Sequence, residues 1–208
     1  MHKKTLLAAV LCVAASLAHA SPELLRSAEQ GDLAGVQHQL RSGAAVDTRD
    51  ARQRTPLLLA TWANHPAVAQ ALIAAGADVN AKDDQQDSPY LVAGAHGRTE
   101  ILKMTLAHGA DLRSTNRYGG TALIPASEKG HPEAVRLLIQ AGADVDFVNK
   151  LGWTSLLEVA ILGQDTAVYQ DITRQLIAAK ANVNLPDKNG VTALQHARQR
   201  GLTQIAAL

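Results

Sequence analysis

The chain has 208 residues, with 20 basic and 19 acidic side chains and a net charge of +1 when histidines are neutral. Phosphate recognition needs a concentrated basic stripe, so this balance speaks against nucleic acid and gives no reason to expect an anionic membrane surface. The single cysteine, Cys12, excludes an internal disulfide and a cysteine-built metal centre.

Residues 1–20 read as a signal peptide. His2, Lys3 and Lys4 make a basic start, and Thr5 to Ala18 is an apolar stretch too short to span a bilayer comfortably. Ala18-His19-Ala20 places small residues where a signal peptidase reads them, so cleavage is expected after Ala20. Cys12 leaves with this segment, as do Lys3 and Lys4, which leaves 18 basic against 19 acidic residues. Leu11 before Cys12 argues against a lipoprotein. No second hydrophobic segment is long enough to cross a bilayer, so stable membrane insertion is not expected.

After residue 20 a short motif recurs: Thr55-Pro56-Leu57, Ser88-Pro89-Tyr90, Thr121-Ala122-Leu123, Thr154-Ser155-Leu156 and Thr192-Ala193-Leu194. The first four are 33 residues apart and the last interval is 38. A degenerate copy, Glu23-Leu24-Leu25, lies about one period earlier. Such a period implies a solenoid of small units that cannot fold singly. Each Thr or Ser caps a first helix, with Pro suited to its first turn. Gly31, Asn64, Gly97, Gly130, Gly163 and Gly201 close that helix where a left-handed residue is wanted. A second helix follows, with an apolar face such as Val68, Leu72 and Ile73. Ala60, Ala93 and Ala126 are small where first helices lie close together. Five complete repeats, ending near Thr48, Ala81, Ser114, Phe147 and Leu185, precede a sixth that stops inside its second helix. Residues 21–208 are thus expected to form one elongated, monomeric domain.

The unit resembles the ankyrin repeat, most plainly in Gly76-Ala77-Asp78-Val79-Asn80, Gly142-Ala143-Asp144-Val145-Asp146 and Gly130-His131-Pro132-Glu133-Ala134-Val135-Arg136-Leu137-Leu138. The resemblance implies an all-α ankyrin-repeat solenoid of helix–turn–helix units with β-hairpin-like fingers such as Asp83 to Asp87. The tract from Gly119 to Arg200 also resembles exported ankyrin-repeat proteins of proteobacteria. One feature departs from the family pattern. The slot after the motif Leu usually holds His, which ties neighbouring fingers together, and here it holds Leu58, Leu91, Ile124, Leu157 and Gln195. A more apolar seam with less polar tethering is expected.

The resemblance also implies binding through a concave face built from finger residues and the end of each first helix. By register, that face is expected to carry Arg54, Trp62, Asp87, His96, Tyr118, Pro125, Glu128, Trp153 and Glu158. Trp, Tyr and Arg are the usual energetic anchors of interfaces. Pro125 lies four residues past Thr121, where its missing N–H begins to cost a helical bond, and departures of this kind collect at functional or strained sites. The five extra residues between Gly163 and Lys180 suggest a loop that either binds or is merely tolerated.

The sequence holds no His-Glu-x-x-His zinc motif and no phosphate-cradling glycine loop. His65 and His131 share one repeat slot and read as structural. Glu128 and Glu158 occupy neighbouring slots, but carboxylates in register are commonplace in repeat arrays. No enzyme, cofactor or metal is expected. The expected function is a periplasmic, non-enzymatic adaptor for a protein partner, the alternative being a periplasmic inhibitor, or immunity protein, that blocks a toxic enzyme.

Overall fold

The computed structural model describes residues 21–208, so the expected signal peptide lies outside the described residues. Twelve helices follow in pairs. They are α1 (Pro22–Gln30) and α2 (Leu33–Arg41), α3 (Pro56–Trp62) and α4 (Pro66–Ala74), and α5 (Pro89–Ala95) and α6 (Thr99–Ala107). Next come α7 (Leu123–Glu128) and α8 (Pro132–Gln140), α9 (Ser155–Leu162) and α10 (Ala167–Ala178), and α11 (Ala193–Gln199) and α12 (Thr203–Ala206). Odd-numbered helices stack on one another as an inner layer and even-numbered helices as an outer layer. Among the described residues there is no strand, only an isolated bridge between Pro186 and Thr192, so the fingers are tight turns rather than ladders.

The caps explain where the inner helices start. Thr55, Ser88, Thr154 and Thr192 each accept, through the side-chain hydroxyl, a hydrogen bond from the backbone N–H three residues on. One expected cap is corrected and one is added. In the first repeat the cap is Ser21, whose hydroxyl accepts from Leu24 N–H, with Pro22 as the first helical residue. Thr121 does not cap α7, and its buried hydroxyl has no partner. Pro125 is the reason. Because α7 begins only at Leu123, Pro125 falls on its third residue, inside the first turn, where no intrahelical N–H bond is due. The helix is shortened and the proline costs it nothing.

The left-handed closures are present at Gly31, Asn64, Gly97, Gly130 and Gly201. Gly163 differs: its φ is −68° and its backbone is extended, because the longer link to α10 leaves in another direction. The core runs unbroken from Leu24 and Val36 to Leu202 and Ile205. Its largest fully buried members, among them Leu24, Leu57, Leu72, Leu102, Leu138, Leu157 and Leu176, come from repeats one to five. Ala60, Ala93 and Ala126 are completely buried, as close stacking requires. At Gly94 a Cβ would meet that of Ala122 at 2.8 Å, so the inner layer has no room for a larger residue there.

The expected loss of polar tethering is also corrected. Asp50, Asp83, Asn116, Asn149 and Asp187 each accept two backbone N–H bonds, from the residues two and four positions on, which fixes every finger. Cationic side chains then lace finger to finger. Arg49 donates to the Lys82 carbonyl at 2.7 Å, Lys82 to that of Thr115 at 2.8 Å, and Lys150 to that of Arg117 at 3.1 Å. Lys188 reaches the Lys150 carbonyl in the same way.

The five-residue insertion in repeat five is put to structural use. The Tyr169 hydroxyl donates to the Glu128 carbonyl at 2.8 Å, and its ring packs on Gly130. It thereby fills the place that His65 and His131 take against Gly31 and Gly97. Asp165 accepts from the N–H groups of Gln204 and Ile205 and so caps the short final helix.

Because stability is carried between neighbours, one internal cavity should weaken the whole array. Leu102→Ala, at a fully buried site of α6, is expected to lower the unfolding free energy by about 3 kcal/mol. Urea titration followed by circular dichroism checks this; a change below about 1 kcal/mol would show that repeats three and four do not share their core.

Candidate functional site

The inner helices and fingers of repeats two to five enclose a cavity of about 400 Å³ on the concave side. Trp62, Asp87, His96, Tyr118, Pro125, Glu128, Trp153 and Glu158 all line it. Of the residues expected on this face, only Arg54 is not brought to the cavity. Its guanidinium is held 2.7 Å from Asp50 at the base of its own finger. Sequence register missed Asn116, Asn149, Leu91, Val92 and Ile124 as part of the wall. The Asp/Asn recurrence through positions 50, 83, 116 and 149 was the available signal for the two asparagines.

The end formed by repeats two to four is a mixed polar and aromatic surface. Trp62, 39% exposed, meets His96 edge-on with ring centroids 4.7 Å apart. Lys129 Nζ lies 3.4 Å from His96 Nε2. Burial, then the charges of Lys129, Arg98 and His131, push the imidazole down to about 4, so His96 is neutral at physiological pH. Arg117 reaches Asp87 at 3.4 Å, and its guanidinium lies 5.1 Å from the centre of the Tyr118 ring. Burial, then the charge of Asp83, raises the Asp87 carboxyl, while Arg117 and Lys129 oppose the rise. Tyr118 is 57% exposed, the most open large apolar side chain among the described residues.

The other end, in repeats four and five, is deeper. Trp153 is half-buried and packs on the core, so it serves both the stack and the cavity wall. Pro125 is buried. Glu158 is only 4% exposed, although register placed it among accessible positions. The equivalent slot holds Leu59, Val92 and Pro125 in repeats two to four, so a carboxyl stands where those repeats place an apolar side chain. Asn149 positions it: Asn149 Oδ1 accepts from the N–H groups of Leu151 and Trp153, and its Nδ2 donates to Glu158 Oε1 at 2.9 Å. Glu158 Oε2 has no partner. Burial, then repulsion from Glu128, raises the Glu158 carboxyl to about 7, opposed by the bond from Asn149. In repeat six the same two slots hold Asp187 and His196, paired at 2.9 Å.

No group of three or more metal-ligating side chains occurs among the described residues. None of the helices of the described residues is long and apolar enough to cross a membrane.

A family model of ankyrin repeats in three copies matches residues 24–116 and 90–169. The chain belongs to the ankyrin-repeat family. Its concave groove is therefore the face of an ankyrin array, a fold that generally serves protein–protein interaction as a non-enzymatic scaffold. The array is similar to the crystal structure of an ankyrin repeat domain from Acinetobacter baumannii AYE, with 56% identity, a TM-score of 0.86, and coverage of 88% of this chain and 94% of that one. It is also similar to the ankyrin repeat protein EF0377, with 44% identity, a TM-score of 0.85 and coverage of 89% and 94%. At 29% identity it matches the ankyrin repeat domain of Bcl-3, a member of the IkappaB protein family, with a TM-score of 0.78 and coverage of 89% and 83%. A comparison with curated proteins gave no match.

The buried carboxyl should leave a mark on stability. Below about pH 4.5 Glu158 is protonated in folded and unfolded chains alike. Between there and about pH 7 the unfolded chain releases the proton while the folded chain keeps it, so Glu158 erodes stability as pH rises through this window. Glu158→Gln is expected to match the parent chain near pH 4 and to exceed its stability by roughly 1–2 kcal/mol at pH 8. Thermal denaturation at both pH values tests this, and an equal difference at the two would refute it.

Proposed function

We propose that this protein is an exported, non-enzymatic adaptor of the bacterial periplasm that binds one protein partner through its concave groove. The observation that carries the reading is where the aromatics lie. Only 3% of the chain is aromatic, yet both tryptophans and Tyr118 line one groove, with Trp62 and Tyr118 left open to solvent. Large aromatics beside arginine are the usual anchors of protein interfaces. A binding scaffold has little other reason to hold them there, since exposed apolar rings weaken solubility. Export rests on the basic, apolar and small-residue order of residues 1–20. Monomeric behaviour fits an array whose apolar faces are covered by its own neighbouring repeats.

Photo-crosslinking in living cells tests this reading. A crosslinking residue at Tyr118 or Trp153 is expected to trap one dominant periplasmic protein, and one at Gln140, exposed on the outer helix α8, is expected to trap none. A captured toxic enzyme would convert the adaptor into an inhibitor. Equal labelling from both faces, or none at the groove, would overturn groove binding.

A further inference from the structure

We propose that the end of the groove in repeats four and five is a receptor for one basic side chain, lysine or arginine, on an exposed segment of the protein partner. The inference rests on the groove-binding reading and names what the groove selects. Two carboxyls, Glu128 from α7 and Glu158 from α9, lie close enough to repel each other. Among the described residues neither makes an ion pair. The cations nearby are engaged elsewhere. Lys129 leans toward His96, and Arg117 toward Asp87. Arg200 donates to the carbonyls of Ala160 and Gly163.

Glu158 carries the argument. It is more than nine-tenths buried, it lines the cavity, and its Oε2 lacks a hydrogen-bond donor. Leaving a buried carboxyl oxygen unpaired is costly, and a carboxyl held in that state recurs where a ligand completes it. The walls suit the rest of a basic side chain. Trp153, Tyr118 and Pro125 offer aromatic and apolar surface for an aliphatic stem, with the charged head directed to the carboxyls. Leu151 and Leu162, 48% and 47% exposed, extend that apolar surface at the rim. The matching partner segment is a lysine or arginine flanked by apolar residues.

Seating a cation favours the ionised form of Glu158, so binding displaces its proton. Glu128 faces Glu158 from α7 and the uncharged Asn149 from the finger. On α11, packed against α9, His196 is bound to Asp187, and Arg200 at the end of that helix is bound to carbonyls. From α10, Tyr169 is bound to the Glu128 carbonyl. Affinity should therefore rise by about tenfold from pH 6 to pH 8, as the ionised fraction grows.

The test uses the full chain and a capped pentapeptide with a central lysine between two leucines. Nuclear magnetic resonance follows the Trp153 indole N–H and the Glu158 side-chain carboxyl. Saturable shifts are expected, stronger at pH 8 than at pH 6, and reduced at least tenfold when the lysine is ε-acetylated. Glu158→Gln should weaken binding at pH 8 and abolish the pH dependence. Glu128→Gln, at a partly exposed position that should leave folding intact, should weaken binding while keeping a pH dependence displaced to lower pH. Equal binding of the acetylated peptide would overturn the basic-residue receptor while leaving groove binding in place. The absence of any shift, with a partner still crosslinked at Tyr118, would do the same. Equal binding of n-butylammonium alone would assign the site to a free small cation and overturn the protein side chain as its occupant.

Discussion

No repeat in this chain can bury its own apolar surface, and everything else follows from that. Each helix pair exposes one apolar side to the unit before it and one to the unit after it, so the fold exists only as a stack. The inner layer sets the tightest requirement. Fully buried Ala60, Ala93 and Ala126, together with Gly94 against Ala122, hold the inner helices close. Once they lie that close, finger spacing and groove width are determined. The turns are clamped by Asp or Asn side chains that accept paired N–H bonds, so the finger side chains are presented by rigid backbone.

Within this regular frame Glu158 is the exception. Its slot is filled by Leu59, Val92 and Pro125 in earlier repeats, and any of those would suit the stack better. The carboxyl has a single side-chain partner, Asn149, and a neighbour of like charge in Glu128. Local consistency breaks here while the surrounding fold stays regular. Such breaks tend to mark function, because the stability they cost is supplied by the rest of the molecule. Pro125 looked like a similar break and is not one, since starting α7 at Leu123 removes the conflict.

The period made the architecture legible. Thr55, Ser88, Thr154 and Thr192 read as caps and are caps, because the cap interaction is local to a few residues. Thr121 failed because a proline downstream moved the helix start. Ser21 was missed because the motif is degenerate in the first repeat, where Glu23-Leu24-Leu25 carries no Thr or Ser. The groove was legible in the same way: register brought eight of the nine proposed residues to one cavity. Depth was not legible. That Glu158 is buried while Tyr118 stands open depends on tertiary packing, which no spacing encodes. Tyr169 and Asp165 were out of reach for a related reason. They lie in the insertion, where the period lapses, and their partners Glu128, Gln204 and Ile205 are 39 to 41 residues away in the chain.

The laced fingers give the array a mechanical polarity. Arg49, Lys82, Lys150 and Lys188 link successive fingers from repeat two to repeat six by hydrogen bonds to backbone carbonyls, so that edge behaves as a strap of fixed length. The helical side is tied less uniformly, by bonds that differ from junction to junction: His65 to the Glu29 carbonyl, Tyr169 to that of Glu128, and Arg200 to those of Ala160 and Gly163. Any change of curvature must then pivot on the finger edge, opening or closing the groove like the covers of a book about its spine. With the fingers tied at a fixed spacing, a bend at any one junction is carried to the two end repeats as an angle between them.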